Sequence, residues 1–292
     1  MQRSGILGGT FNPPHWGHVS VAIAALNQFH LDEVLWIPSL APHYRQAETI
    51  ADFGHRLEMV KRAIALCPRF SLAFNETGGD TSSLPYPSFA VDTRTLLEAT
   101  YPHRQWFWII GLDALQTLSR WYQREVVIPW CDWLVAPRLT RQHPSGDPLT
   151  SVGLTLESSL SEKIRAGFTA VEQPASHSST ATRLNQMLGK LAAEFNSLQS
   201  EAIAQTTQQC QHIAALLRQQ SIELRWQVLA LPPIPISSQQ IRCTLATHPP
   251  VAPAPGDGDQ ETILSGLVPR AIADYITQHY LYCPTPGDAQ PP

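Results

Sequence analysis

Two histidines three residues apart, placed just after a pair of glycines, are the residues in this sequence best suited to handling phosphate. They lie in the run Gly8-Gly9-Thr10-Phe11-Asn12-Pro13-Pro14-His15-Trp16-Gly17-His18, between an apolar segment and an amphipathic one. Glycines let a backbone approach an anion closely. A helix starting near Gly17 would turn its unpaired N–H groups and positive dipole end toward the same place. His15 and His18 would flank that start, and an imidazole with a pKa of about 6.5 can donate a hydrogen bond or take a proton beside a polyphosphate. Plainer explanations exist for the parts. A glycine pair after a strand is usually just a turn, and two spaced histidines can hold a metal. No third metal ligand with suitable spacing stands out, so no protein-held metal is expected.

A second segment offers similar chemistry far along the chain. In Ile236-Ser237-Ser238-Gln239-Gln240-Ile241-Arg242, Ser237 or Ser238 can cap a helix and leave its N–H groups for an anion. Arg242, one turn further, can fork onto phosphate oxygens. An ordinary capped helix with a surface arginine would look the same in isolation.

The elements that would carry these residues alternate. Apolar segments 4–8, 34–37, 70–74, 105–110 and 133–136 read as strands, and 17–29, 54–66 and 87–99 as helices, with short helical pieces at 113–118 and 124–128. Such alternation implies parallel pairing with right-handed crossovers, hence an α/β fold with an open parallel sheet and helices on both faces. Ligands of such sheets bind beyond the carboxyl ends of strands. The pattern breaks after Pro137. Residues 139–161 read as a loop and 178–220 as one or two helices, so 139–222 is expected to be a mostly helical insertion. The alternation returns with a strand at 223–231 and helices at 237–246 and 263–280. The nucleotide-handling domain would then comprise 1–138 and 223–282, with a flexible Pro-rich linker at 248–260 and a disordered tail at 283–292.

Composition narrows the class. The chain has 292 residues, 43% of them hydrophobic, enough for one sizeable core or two small ones. A net charge of −4 carries no footprint of a nucleic-acid binder. No apolar run approaches the roughly 18 residues of a membrane span, and the N-terminus turns glycine-rich too soon for a signal peptide. Five widely spaced cysteines without Cys-x-x-Cys fit reduced thiols and a cytoplasmic setting.

The run 8–18 resembles the Gly-Gly-Thr-Phe-Asp-Pro-x-His-x-Gly-His signature of the nicotinate mononucleotide adenylyltransferases, within the His-x-Gly-His nucleotidyltransferases; Asn12 stands where that family usually has Asp. Residues 236–242 resemble its Ile-Ser-Ser-Thr-x-Ile-Arg. Gly111-Leu112-Asp113 followed by Trp121-Tyr122 is similar to its Gly-x-Asp and Trp-Tyr stretch. The resemblance implies a Rossmann-like nucleotidyltransferase fold, and it leaves residues 139–222 unexplained. ATP would be bound by Gly8, Gly9, Thr10, Phe11, His15, His18, Gly111, Asp113, Ser237, Ser238 and Arg242, with His15, His18 and Arg242 acting in catalysis. Asp113 would hold ribose, and Trp121 and Tyr122 would flank the nicotinate. Arg45, Ser88 and Arg138 match acceptor-binding positions of the family, and Arg56 matches a family arginine.

The activity so implied is transfer of the adenylyl group of ATP to nicotinate mononucleotide, giving deamido-NAD and pyrophosphate, a step of NAD biosynthesis. Mg²⁺ would arrive bound to the nucleotide. The partners would be ATP and a pyridine mononucleotide, with no nucleic acid and no membrane; homo-oligomerisation is left open. Two alternatives remain at this level: a sister enzyme acting on nicotinamide mononucleotide, phosphopantetheine or a cytidylyl acceptor, and a non-catalytic nucleotide sensor.

Overall fold

A computed structural model describes residues 1–40, 50–73, 89–138, 151–173, 178–248 and 263–283. Six strands form one sheet in the order β3-β2-β1-β4-β5-β6, with every neighbouring pair parallel. They are β1 Gln2–Gly9, β2 Glu33–Pro38, β3 Phe70–Leu72, β4 Arg104–Gly111, β5 Asp132–Ala136 and β6 Trp226–Val228. All strands point the same way, but the order in which successive strands are added reverses between β1 and β4, which opens a crevice beyond their carboxyl ends.

The central strands are apolar on both faces because helices cover both. Alternation still sorts the side chains. Leu7, Trp36, Phe107, Ile109 and Leu134 enter one core, and Ile6, Leu35, Trp108, Ile110, Trp133 and Val135 the other. The first core is covered by α1 Trp16–Gln28, α2 Phe53–Ile64 and α10 Arg270–Gln278. Ala22, Ala24 and Ala25 are buried on α1, and their small size lets the helix lie close to the sheet. On the second face lie α3 Ala90–Thr100, α4 Leu112–Thr117 and α5 Arg124–Val127.

The segment 139–222 packs on both faces. Its helices are α6 Ser151–Glu172, α7 Thr180–Glu194 and α8 Asn196–Arg218. Helix α6 overlaps the part of 139–161 expected to be a loop. Serines and Gly153 suggested turns there, but Leu160, Ile164, Phe168 and Val171 recur at helical spacing and are all buried. Phe168 stacks on Trp16 at 4.9 Å between ring centres, so α6 braces the start of α1. Helix α7 is capped by Ser179, whose Oγ accepts from the Thr182 N–H at 3.2 Å. Helix α8 crosses to the other face and buries Cys210, Ile213 and Leu217.

Two further expectations are shortened. The strand foreseen over 223–231 is paired only across Trp226–Val228, because an edge strand can pair no further than its single neighbour β5. The helix foreseen over 263–280 begins only at Arg270. Before it runs a turn in which Gly266 has φ +70°, and a Cβ there would lie 2.5 Å from the Arg165 carbonyl oxygen of α6. Residues 249–262 and 284–292, where a linker and a tail were expected, lie outside the described residues. No helix among the described residues is long and apolar enough to cross a membrane.

Candidate nucleotide site

Both phosphate-handling segments open onto one cavity of about 940 Å³, beyond the carboxyl ends of β1 and β4. Gly8, His15 and His18 line it from the first segment; Ser237 and Ser238 from the second; Gly111, Asp113 and Arg138 from the ends of β4 and β5. More than two hundred positions apart in sequence, the two segments also touch directly. Ser238 Oγ donates to the Pro13 carbonyl at 2.8 Å, and Arg242 NH1 donates to the Asn12 carbonyl at 2.8 Å.

The histidines do more than flank the start of α1: they cap it. His15 Nδ1 accepts from the Gly17 N–H at 3.1 Å, and His18 Nδ1 accepts from the His15 N–H at 3.2 Å. A nitrogen accepting from an amide carries no proton, so each neutral ring must bear its hydrogen on Nε2. Burial holds both rings neutral. It pushes the His18 imidazole down to about 4. His15 sits well below its ordinary value, mainly through burial and secondarily through the neighbouring His18. In the ligand-free protein both histidines are therefore neutral Nε2–H donors, the first of the two roles open from sequence.

The amides of α1 differ from expectation as well. Its first N–H, on Trp16, donates to the Leu267 carbonyl at 3.1 Å, that of Gly17 goes to His15, and that of His18 to the His15 carbonyl at 2.9 Å. At this helix an anion would meet imidazoles and the dipole rather than backbone N–H groups. Helix α9, Ser238–Thr247, keeps the opposite arrangement. Ser237 Oγ accepts from the Gln240 N–H at 3.2 Å, which leaves the Ser238 and Gln239 N–H groups without intrahelical partners at the cavity wall.

Several expected contacts take supporting positions. Thr10 and Phe11 are buried and do not line the cavity. Phe11, at φ 49°, packs its ring 5.1 Å from that of His18 and 5.1 Å from that of Trp36. A Cβ on Gly9 would touch the Phe11 ring at 3.3 Å. Arg242, on α9, is buried, donates from Nη1 to the opening turn and is not part of the cavity lining. Asp113 and Arg138, expected to serve ribose and acceptor separately, are ion-paired with each other at the cavity edge. Trp121 lies outside the lining and wedges against Trp108 and Trp133 at 5.9 and 5.8 Å. Tyr122 is exposed beside Phe89. Arg45 and Ser88 lie outside the described residues.

Two organising residues were hard to foresee. Arg56 is 1% exposed and donates to four carbonyls: Thr10 at 2.8 Å, Ser39 at 2.7 Å, Leu40 at 3.0 Å and Ala51 at 3.0 Å. It thereby ties the ends of β1 and β2 together. Tyr282 donates to Asn12 Oδ1 at 2.9 Å, and that oxygen also accepts from the Ala51 N–H at 3.0 Å. The amide oxygen of Asn12 thus satisfies two part-buried donors without placing a carboxylate charge there, which gives position 12 a structural role.

Gly17 is packed against the machinery. A Cβ there would lie 2.9 Å from two atoms of the His15 ring. Gly17→Ala should therefore displace that ring and lower turnover by about tenfold with little loss of melting temperature, as expected when a positioned donor is misplaced. Steady-state kinetics beside a thermal melt checks this.

Comparison with known proteins agrees with the geometry. A family model described as cytidylyltransferase-like matches residues 6–244. A protein of Trichormus variabilis, named probable nicotinate-nucleotide adenylyltransferase, is 30% identical over 282 residues, covering 97% of this chain and 98% of its own. The nicotinate-nucleotide adenylyltransferase of Bacillus subtilis is 40% identical over 128 residues, 44% of this chain and 65% of its own. Among solved structures, the nicotinic acid mononucleotide adenylyltransferase of Plasmodium falciparum complexed with NaAD superposes with a TM-score of 0.53 at 13% identity, over 97% of this chain and 98% of that one. With the Rossmann-like sheet and the converging turn and helix cap, these matches place the chain in the cytidylyltransferase-like family, among the nicotinate-nucleotide adenylyltransferases.

Proposed function

We propose that the protein joins nicotinate mononucleotide to the adenylyl group of ATP, forming deamido-NAD and releasing pyrophosphate. The observation that carries this reading is the convergence of the His15/His18 cap and the α9 N-terminus on one cavity. The names of the relatives support the choice of acceptor.

The acceptor brings its own nucleophile. An oxygen of its 5′-phosphate attacks the α-phosphorus of ATP, the α–β bridging P–O bond breaks, and the electron pair leaves with pyrophosphate. The protein has only to align the two and stabilise charge. The Nε2–H of His18 would donate to the α-phosphate as charge builds there, and that of His15 to the phosphates beside it. The Ser238 and Gln239 N–H groups hold the triphosphate from the opposite wall. Arg242, through the Asn12 carbonyl, keeps the opening turn in register with α9. Asp113 would serve ribose and the exposed Tyr122 the nicotinate ring, with Trp121 packed on Trp108 and Trp133 behind it. Among the described residues no three His, Cys, Asp or Glu side chains are grouped to hold a metal. Mg²⁺ would enter on the nucleotide, kept by phosphate oxygens and water, and neutralise part of its charge.

A panel of acceptors with ATP and Mg²⁺, scored by pyrophosphate release, tests the proposal. Nicotinate mononucleotide should give the highest kcat/KM. Preference for nicotinamide mononucleotide or phosphopantetheine would replace the acceptor, and ATP binding without product would leave a sensor.

The pKa shifts add a pH prediction. His18 titrates near 4 in the free protein, against about 6.5 unfolded. Between those values the unfolded chain binds more protons than the folded one, so stability is retained above pH 6.5 and lost as pH falls toward 4. A bound polyphosphate raises the histidine's pKa, so ATP affinity should increase as pH falls from 7 toward 5 while the fold persists. NMR of the His18 ring, with and without ATP, should show its midpoint near 4 moving upward on binding.

A further inference from the structure

We infer that Arg165, carried by helix α6 of the 139–222 segment, binds the β- and γ-phosphates of the nucleotide and hence the departing pyrophosphate. The inference rests on the proposed adenylyl transfer for its reaction, but on the cavity itself for its geometry.

Among the described residues that line the cavity, positive charge is scarce. ATP brings a triphosphate, and in the ligand-free protein the two histidines facing it are neutral. Arg138 also lines the cavity, but its charge is cancelled by Asp113 at the cavity edge. Among the described residues, only Arg165 of the other lining residues is cationic, and it makes no ion pair. Its partner among the described residues is the Ser265 carbonyl, which accepts from Nη2 at 3.3 Å. A guanidinium has five donors, so one such bond leaves the fork largely available.

The placement is built rather than incidental. Ser158, Ser161 and Arg165 follow one another at helical spacing and give α6 a polar edge on the cavity, while Leu160 and Ile164 line it beside them. The backbone at Arg165 is pinned by Gly266, which approaches so closely that no Cβ fits. One residue on, Leu267 accepts from the first N–H of α1. Phe168, nearly one turn beyond Arg165, stacks on Trp16. Arg165 is thus held beside the very helix start that carries His15 and His18. A cation there meets the end of the triphosphate that leaves, where charge accumulates in the transfer.

The test uses the full chain, with Arg165→Gln to keep a donor for Ser265 and Arg165→Lys to restore charge. Loss of a charge-assisted contact should raise both the KM for ATP and the inhibition constant of pyrophosphate about tenfold in Arg165→Gln. The salt dependence of ATP binding should flatten. The KM for nicotinate mononucleotide and the affinity for adenosine, measured by calorimetry, should change less than about twofold, and Arg165→Lys should recover most of the loss. Unchanged ATP and pyrophosphate constants would overturn the inference. So would an equal loss for adenosine, which would mark a disturbed fold. If the wild type turned over no acceptor, the proposed function would fall, while ATP and adenosine calorimetry on the same variants would still decide the role of Arg165.

Discussion

Replacing His18 with alanine should lower kcat about 10²–10³-fold, the usual loss when one preorganised donor is removed from developing charge. The fold should survive. What disappears structurally is one cap acceptor, the Nδ1 that takes the His15 N–H, worth about 0.5–2 kcal/mol. His18→Asn separates the two roles, since its amide can accept that N–H without placing a donor where Nε2–H lies. It should regain stability but little turnover. ATP binding should weaken far less than kcat, because the α9 amides remain. If His18→Ala turned over within about threefold of the wild type, charge stabilisation at the α-phosphate would have to be assigned elsewhere.

Arg56→Ala should be the most destabilising single change among those considered. The side chain is buried and bonded to four carbonyls from three stretches of chain. Its removal strips those acceptors of their donor, the Thr10 carbonyl in a buried setting. A loss of about 3–5 kcal/mol is expected, or roughly 10 °C in melting temperature for a chain of this size. Arg56→Lys should rescue little, since an ammonium offers three donors from one point and cannot span four separated oxygens. Because Thr10 is one of those acceptors, the turn before His15 should loosen and the KM for ATP rise. Denaturant unfolding of both variants checks this; a cost below about 1 kcal/mol for Arg56→Ala would mean that the surrounding loops find other partners.

These two residues show what could be read in advance. The histidine pair and the Ser237 cap were legible because each is local: a turn, a helix start and a few residues at fixed spacing. The parallel sheet was legible for the same reason, in alternating apolar runs. Tautomer and charge were not, because they follow from burial and from which backbone N–H each ring accepts. Nor was the inward turn of Arg242, whose partner Asn12 is 230 residues away. The phenol of Tyr282 reaches that same residue across 270. Helix α6 was not foreseen as an element: its first half read as loop because serine side chains compete for the backbone and glycine lowers helix propensity, and its second half, where Leu160, Ile164, Phe168 and Val171 recur, was given no element of its own.

The brace on α1 has a consequence for how the molecule comes into being. Trp16 is gripped by Phe168 and by the Leu267 carbonyl, so the first helix waits for chain that is synthesised some 150 to 250 residues later. A nascent polypeptide that has released β1 to β5 from the ribosome already carries both histidines and their local cap bonds, yet lacks the groups that seat the start of their helix. Competence to bind nucleotide should therefore arrive late and abruptly during translation, with the closing turn before α10, rather than growing in step with chain length.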